Sequence, residues 1–246
     1  MTDPGLLALL SLAAATFVGA VVQRSTGMGF ALLASPFLML VLGPFEGILV
    51  ANLCGSASSA LNLTQMWRDI DWRRAVVLVP MGVVGVLPGA IAVLLLPPGP
   101  LMIGVSLVVI LGLTLTLGLR GRRLPNSRAL SATGGLASGF MTVSAGVGGP
   151  GVAIYAHATN WSHRPFAATA QLHFCALGIA SLIAKWSVPS LSAPGWATLA
   201  AALLGGLLVG NILAPRISPS AAMTFVMAVA VGGSLLALAR GVSATL

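Results

Sequence analysis

Ten apolar runs, separated by little more than glycine, proline and small clusters of charge, leave this chain almost no sequence from which to build a water-facing surface. They cover approximately 5–22, 30–42, 47–66, 75–96, 101–119, 129–143, 152–160, 166–184, 195–214 and 219–239. A helix needs about 20 mostly apolar residues to cross a bilayer, and in lipid the backbone must satisfy its own polar groups. Six runs are long enough to cross comfortably: 47–66, 75–96, 101–119, 166–184, 195–214 and 219–239. Of the 246 residues, 7% are charged and 57% hydrophobic, against about 25% charged in a soluble domain. A soluble globular protein is excluded, and no soluble domain of useful size fits beside the membrane segments.

The runs 30–42 and 152–160 are far too short to cross, and each follows a glycine-rich stretch. They read as second arms of hairpins whose first arms are 5–22 and 129–143. The first hairpin breaks at Gln23-Arg24-Ser25-Thr26-Gly27-Met28-Gly29 and the second at Ser144-Ala145-Gly146-Val147-Gly148-Gly149-Pro150-Gly151. Tilted crossings of a thin membrane are the other reading of these arms. The N-terminus, Met1-Thr2-Asp3-Pro4, lacks the basic region of a secretory signal, so the first run reads as a retained segment. Cys54 and Cys175 both lie in apolar stretches and read as packing residues.

The 12 Lys+Arg against 4 Asp+Glu would suggest a nucleic-acid partner in a soluble chain; here they set orientation, because short cytoplasmic loops gather Lys and Arg. The loop holding Arg120, Arg122, Arg123 and Arg128 votes for the cytoplasm. Alternation then puts Arg68, Arg73, Arg74, Arg164 and Arg216 inside too, and the N-terminus outside. With Arg24 set apart, the division is nine inside against Lys185 and Arg240 outside. Trp67, Trp72, Trp161, Trp186 and Trp196 fall near segment ends, as an aromatic belt requires.

An offset of 121 pairs Pro44-Phe45 with Pro165-Phe166, Cys54 with Cys175, Gly89 with Gly210, Pro98 with Pro219 and Gly112 with Gly233. At an offset of 119, Ser25, Gly27 and Gly29 align with Ser144, Gly146 and Gly148. Residues 1–124 and 125–246 thus read as two repeats, each a glycine-rich broken-helix hairpin plus three transmembrane helices. Three crossings is an odd number, so the second repeat is inverted and the two tips point toward each other near the midplane. The expected fold is an all-α polytopic membrane protein of the inverted-repeat kind, with its substrate site at the repeat interface.

A half-helix that follows a glycine-rich break presents unpaired N–H groups and the positive end of its dipole, which suits an anion. Gln23, Arg24, Ser25, Gly27 and Gly29 at the first tip and Ser144, Gly146, Gly148 and Gly149 at the second are therefore candidate substrate contacts. Arg24 reads equally as a cytoplasm-facing anchor. Asn52 superposes on His173 at the offset of 121; both are candidate donors, with Gln171 and, after the second tip, the sole tyrosine, Tyr155. Asn62, Gln65 and Asn211 are further polar residues within the apolar runs. Asp3, Glu46, Asp69 and Asp71 all fall in termini or loops, so no carboxylate in the membrane can carry a proton. If transport is proton-coupled, His173 or His157 carries it; a facilitator is the alternative. No cofactor or metal is called for. An intramembrane enzyme would need a catalytic set, yet the chain has no GxSG serine motif, paired intramembrane aspartates or HExxH zinc site.

The motifs Gln23-Arg24-Ser25-Thr26-Gly27-Met28-Gly29-Phe30 with Ser35-Pro36, and Gly146-Val147-Gly148-Gly149-Pro150-Gly151 with Tyr155, together with the duplicated plan, resemble the TauE/SafE family of bacterial sulfite exporters over nearly the whole chain. Many members carry three glycines where this chain has Gly-Met-Gly, and two prolines where it has Pro150-Gly151. The resemblance implies transport, most simply export, of sulfite or a small organosulfur anion such as a sulfonate across the bacterial cytoplasmic (inner) membrane. Its partners are then that anion and the lipid bilayer, with no nucleic acid, and a homodimer is one assembly it allows. An anion channel, or an uptake permease for organosulfonates, is the competing expectation.

Overall fold

The computed structural model describes residues 5–118 and 123–244; Asp3, Leu119, Arg120 and Arg122 lie outside the described residues. Among those described, the chain is helical throughout, with no strand. Ten α-helices run in order: α1 (Leu6–Thr26), α2 (Gly29–Leu42), α3 (Pro44–Met66), α4 (Trp72–Leu95), α5 (Pro98–Gly118), α6 (Arg128–Ala145), α7 (Gly149–Ala158), α8 (His163–Lys185), α9 (Ala193–Leu213) and α10 (Pro219–Ser243). Short 3-10 turns cover Trp67–Asp69 and Ala214–Arg216. Local sequence sets the boundaries. Asp71, Ser127, Ser192 and Ser218 cap α4, α6, α9 and α10 by accepting a first-turn N–H, and α3 opens on Pro44, whose missing N–H costs nothing there.

Six helical segments combine the length and hydropathy of a membrane span: Leu6–Thr26, Trp72–Leu95, Pro98–Gly118, His163–Lys185, Ala193–Arg216 and Ala221–Ser243. The protein is a multi-pass membrane protein. Five of the six coincide with runs expected to cross; the sixth corrects the expectation twice. The first run continues to Thr26, giving α1 21 residues, about 31 Å at 1.5 Å per residue, so the supposed hairpin arm is long enough to span. Conversely α3, expected as a comfortable crossing, has 23 residues but is not among the apolar six. Its Asn52, Ser56, Ser58, Ser59 and Asn62 are buried, so it faces protein where an apolar span would face lipid.

The other runs show the lipid-facing pattern. Leu87, Ile91 and Leu94 on α4, Leu107 and Leu111 on α5, and Leu204, Leu208 and Ile212 on α9 are all exposed at the spacing of one helical face. In water such bands would be untenable. Val93 on the opposite face of α4 and Val105 and Leu113 on that of α5 pack in a core with Leu33, Ile48 and Val226, and Leu199, Leu203 and Leu207 of α9 in a second one with Leu12 and Phe30. Several helix pairs approach backbone to backbone: a Cβ at Gly139 of α6 would collide with the carbonyl of Gly82 in α4, one at Gly206 of α9 with the carbonyl of Phe17 in α1, one at Gly47 of α3 with the backbone of Met39 in α2, and one at Gly178 of α8 with the carbonyl of Asn52 in α3.

Charge collects at one end. Arg164 bridges Asp69 at 2.9 Å, Arg74 bridges Asp71 at 3.2 Å and donates to Thr159, and Leu124 N–H donates to the Ala158 carbonyl. At the opposite end Arg240 donates to the Leu40 carbonyl and Ser190 donates to Glu46. Trp67, Trp72 and Trp186 are exposed as membrane anchors would be. Trp161 departs from that role: it sits edge-on to Tyr155 and Phe166, under the Arg74 guanidinium at 4.4 Å.

Candidate functional site between two helix breaks

Both glycine-rich breaks are present and both are tighter than the motifs that announced them. α1 persists through Gln23, Arg24, Ser25 and Thr26, and the chain turns only at Gly27, with φ +80°, before α2 starts at Gly29. α6 likewise persists through Ser144 and turns at Gly146, with φ +68°. A side chain is strained at either angle, and at Gly146 it would also strike Ser35. The Gly146 and Val147 N–H groups return to the Thr142 and Met141 carbonyls and close the end of α6.

Each break leads into a short helix with an uncapped start. α2 has 14 residues and α7 has 10, about 21 and 15 Å. Neither Met28 nor Gly148, at their N-caps, offers a side chain to the first-turn N–H groups, which have no partner within their own helix. The breaks lie side by side: Ser35 of α2 donates to the Ala145 carbonyl at 2.6 Å, and Gly149 rests against Leu32 and Met28.

Between them is a cavity of about 30 Å³ lined by Gln23, Met28, Asn52, Ser56, Ser59, Thr142, Gly146, Gly148 and Gly149, with Phe30 and Phe174 among its walls. Among the described residues its lining holds no charged side chain. The first break is tied down by amides. Gln23 donates to Ser59 at 2.9 Å and to Gln171 at 2.8 Å and accepts from Ser58 at 2.6 Å, while Gln171 donates to the Gly27 carbonyl at 2.9 Å. Asn52 donates to Ser181 at 2.7 Å. The second break is tied down by hydroxyls: Thr142 donates to the Ser138 carbonyl, and Ser138 meets His173 Nε2 at 2.9 Å.

Of the residues singled out in the sequence, Gln23, Asn52, Gly146, Gly148 and Gly149 thus share one cavity, and Gln171 reaches it through Gln23. Gly27 shapes the turn against Ala167, and Gly29 packs on Val22 and Thr26. Ser144 is turned back onto the Phe140 carbonyl, and the Ser25 hydroxyl is buried with no partner among the described residues. His173 is fully buried but is not in the lining and does not pair with Asn52; it faces Gly82 and Ser138 instead. Arg24 lies outside the cavity and donates to exposed Gln65. Tyr155 belongs elsewhere, its hydroxyl donating to Asn126, and His157 is exposed. The hydroxyls of Ser56, Ser58, Ser59, Ser138 and Thr142 were missed. Three serines within four residues of α3 were the available signal, since a lipid-facing span has no use for them.

A family model described as Sulfite exporter TauE/SafE matches residues 12–238. Comparison with curated proteins and with solved structures gives no match.

Proposed function

Because the chain belongs to the sulfite exporter TauE/SafE family, we propose that it transports sulfite or a small organosulfur anion across the bacterial cytoplasmic membrane and holds that anion in the cavity between the two breaks. The observation that carries the reading is a neutral cavity into which two uncapped helix starts converge. An anion there is met by backbone N–H groups and by the Asn52, Ser59 and Thr142 side chains, with no fixed cation to trap it. Release is then as easy as capture, which a carrier requires.

The packing supports two halves related by exchange, and five helices in each half make the second the inverted one. Exchanging α1–α5 (residues 1–124) with α6–α10 (residues 125–246) carries the α1–α9 contact onto α6–α4 and the α2–α10 contact onto α7–α5. It leaves α3–α8 and α5–α10 unchanged. In this reading the arms α1–α2 and α6–α7 enter from opposite sides, the arginine-rich end is cytoplasmic, the N-terminus is outside, and Arg24 is an anchor near the cytoplasmic end.

The cavity of about 30 Å³ exceeds the minimum that one water needs. Saturable flux would separate a carrier from an open channel. His173 touches the second break only through Ser138, and in a proton-coupled cycle it is the group that titrates. The test is flux of radiolabelled sulfite, sulfate and an alkylsulfonate in proteoliposomes. Saturable flux of sulfite or sulfonate that falls with Asn52→Ala and Thr142→Ala is expected. No flux of any of these anions by folded, inserted protein would overturn the proposal.

A further inference from the structure

At the arginine-rich end, away from the breaks, a polar pocket of about 410 Å³ opens between the starts of α4 and α6 and the flank of α7. Asp71, Arg73, Arg74, Asn126, Arg128 and Ser131 are among its lining. Asp71 is neutralised by Arg74 at 3.2 Å. Arg74 is in turn immobilised over Trp161 and against Thr159. Arg73 and Arg128 have no ion-pair or hydrogen-bond partner among the described residues. Ser131, only 3% exposed, lines the same pocket, and its buried Oγ also has no partner among the described residues. Two uncommitted cations and an orphaned hydroxyl in one cavity form a receptor for a phosphate-like anion.

The pocket has an apolar neighbour. A second, apolar groove of about 370 Å³ adjoins it along α4 and α6, lined by Val76, Pro80, Met81, Ala129 and Ala132. Arg128 and Val77 belong to both. Val76 is 64% exposed, on the outer surface of a span. A polar, cationic chamber that continues into an apolar furrow on the lipid-facing side matches the two ends of a phospholipid in order and in chemistry. A free oxyanion would use the first and leave the second bare.

We propose that this pair of cavities is a binding site for an anionic phospholipid, its phosphate held by Arg73, Arg128 and Ser131 and one acyl chain lying in the groove between α4 and α6. The site sits where basic residues meet the cytoplasmic leaflet, in which anionic lipids concentrate near Lys and Arg. The reading rests on the membrane assignment and not on the transported substrate, so it can fail while transport survives.

The experiment is lipid retention by the full chain, read by native mass spectrometry after titration with phosphatidylglycerol, phosphatidylcholine, glycerol phosphate or inorganic phosphate. Phosphatidylglycerol is expected to bind well above the other three. Arg73→Ala combined with Arg128→Ala should weaken it about thirtyfold, taking roughly a factor of five for each arginine near the surface. Arg164→Ala, which removes a cation from the same end but not from the pocket, should leave it unchanged. Ala132→Phe, which fills the groove without touching charge, should weaken phosphatidylglycerol while leaving glycerol phosphate as it was, and so separates lipid from free anion even if the double variant folds poorly. Equal binding of phosphatidylcholine, equal binding of glycerol phosphate, or retention indifferent to Ala132→Phe would each overturn the proposal.

Discussion

At the first break the chain turns on Gly27 and is held by the Gln23 amide, bonded to serine hydroxyls of α3, and by the Gln171 amide that reaches across from α8; at the second it turns on Gly146 and is held by hydroxyls and by its own α6 carbonyls. Gln23 uses both amide hydrogens and its oxygen on neighbours from other helices. Thr142 and Ser144, by contrast, are bonded to carbonyls one turn back on their own helix. Matching backbone geometry is therefore secured by long-range contacts on one side and mainly by local ones on the other. The first break depends on the assembled bundle, whereas the second is closer to self-supporting.

The largest effect should come from the turns themselves. Gly146→Val puts a β-branched side chain at φ +68° and into Ser35, and sulfite flux in proteoliposomes should fall to background. Gly27→Val faces φ +80° and the backbone of Ala167 and should lose folded protein as well as flux, seen as aggregation on size exclusion. If the second variant were the milder one, the assignment of long-range support to the first break would be broken. Next in size is Gln23→Ala, which takes away the donor to Gln171 Oε1 and the partner of the Ser58 and Ser59 hydroxyls. An unsatisfied buried polar group costs about 1–3 kcal/mol, so the melting temperature should drop clearly. Thr142→Ala leaves a helix with intact backbone bonds and should hardly move the melting temperature, while raising KM for sulfite about tenfold.

A smaller and more selective effect is expected at His173. His173→Gln keeps a polar side chain beside Ser138 and, in a cycle that couples protons through this residue, should flatten the pH dependence of flux with substrate binding retained; unchanged pH dependence removes His173 from coupling. Arg24→Ala should do least. Its partner is exposed Gln65, so flux should stay within about twofold of the parent, exposed polar contacts contributing about a kcal/mol or less. A loss of flux to background would return Arg24 to the substrate site and make the first break the charged one of the two.

The all-helical architecture was legible because lipid admits few solutions: long apolar runs become helices. That the chain turns on Gly27 and Gly146, among several glycines in each stretch, was not. The extent of α1 was less legible, since Gln23 to Thr26 are polar residues that a hydropathy pattern assigns to a loop. They are helical because α3 and α8 supply hydrogen-bond partners for Gln23, which no local pattern encodes. The same physics hid the nature of α3, whose serines look like interruptions of a span and are its contact surface. Asn52 and His173, superposed by the offset of 121, face different neighbours, because register fixes position along a helix and packing against α4 and α6 decides what His173 meets. Tyr155 lay close in sequence to the second tip, yet α7 carries it away from the break, to Asn126.

The near-contacts of Gly139 with Gly82 and of Gly206 with Phe17 have a mechanical consequence. With only hydrogen between the backbones, neither pair can slide or roll without driving a neighbouring side chain into a carbonyl, so α6 travels with α4 and α1 with α9. Each weld ties the long arm of one break to a span from the other half of the chain. In the proposed transport cycle the chain then moves as such pairs and not as ten separate helices, and the contacts that line the cavity between α3 and α8, Asn52 to Ser181 and Ser56 to Gly178, are the ones whose side chains would have to re-form around a passing anion.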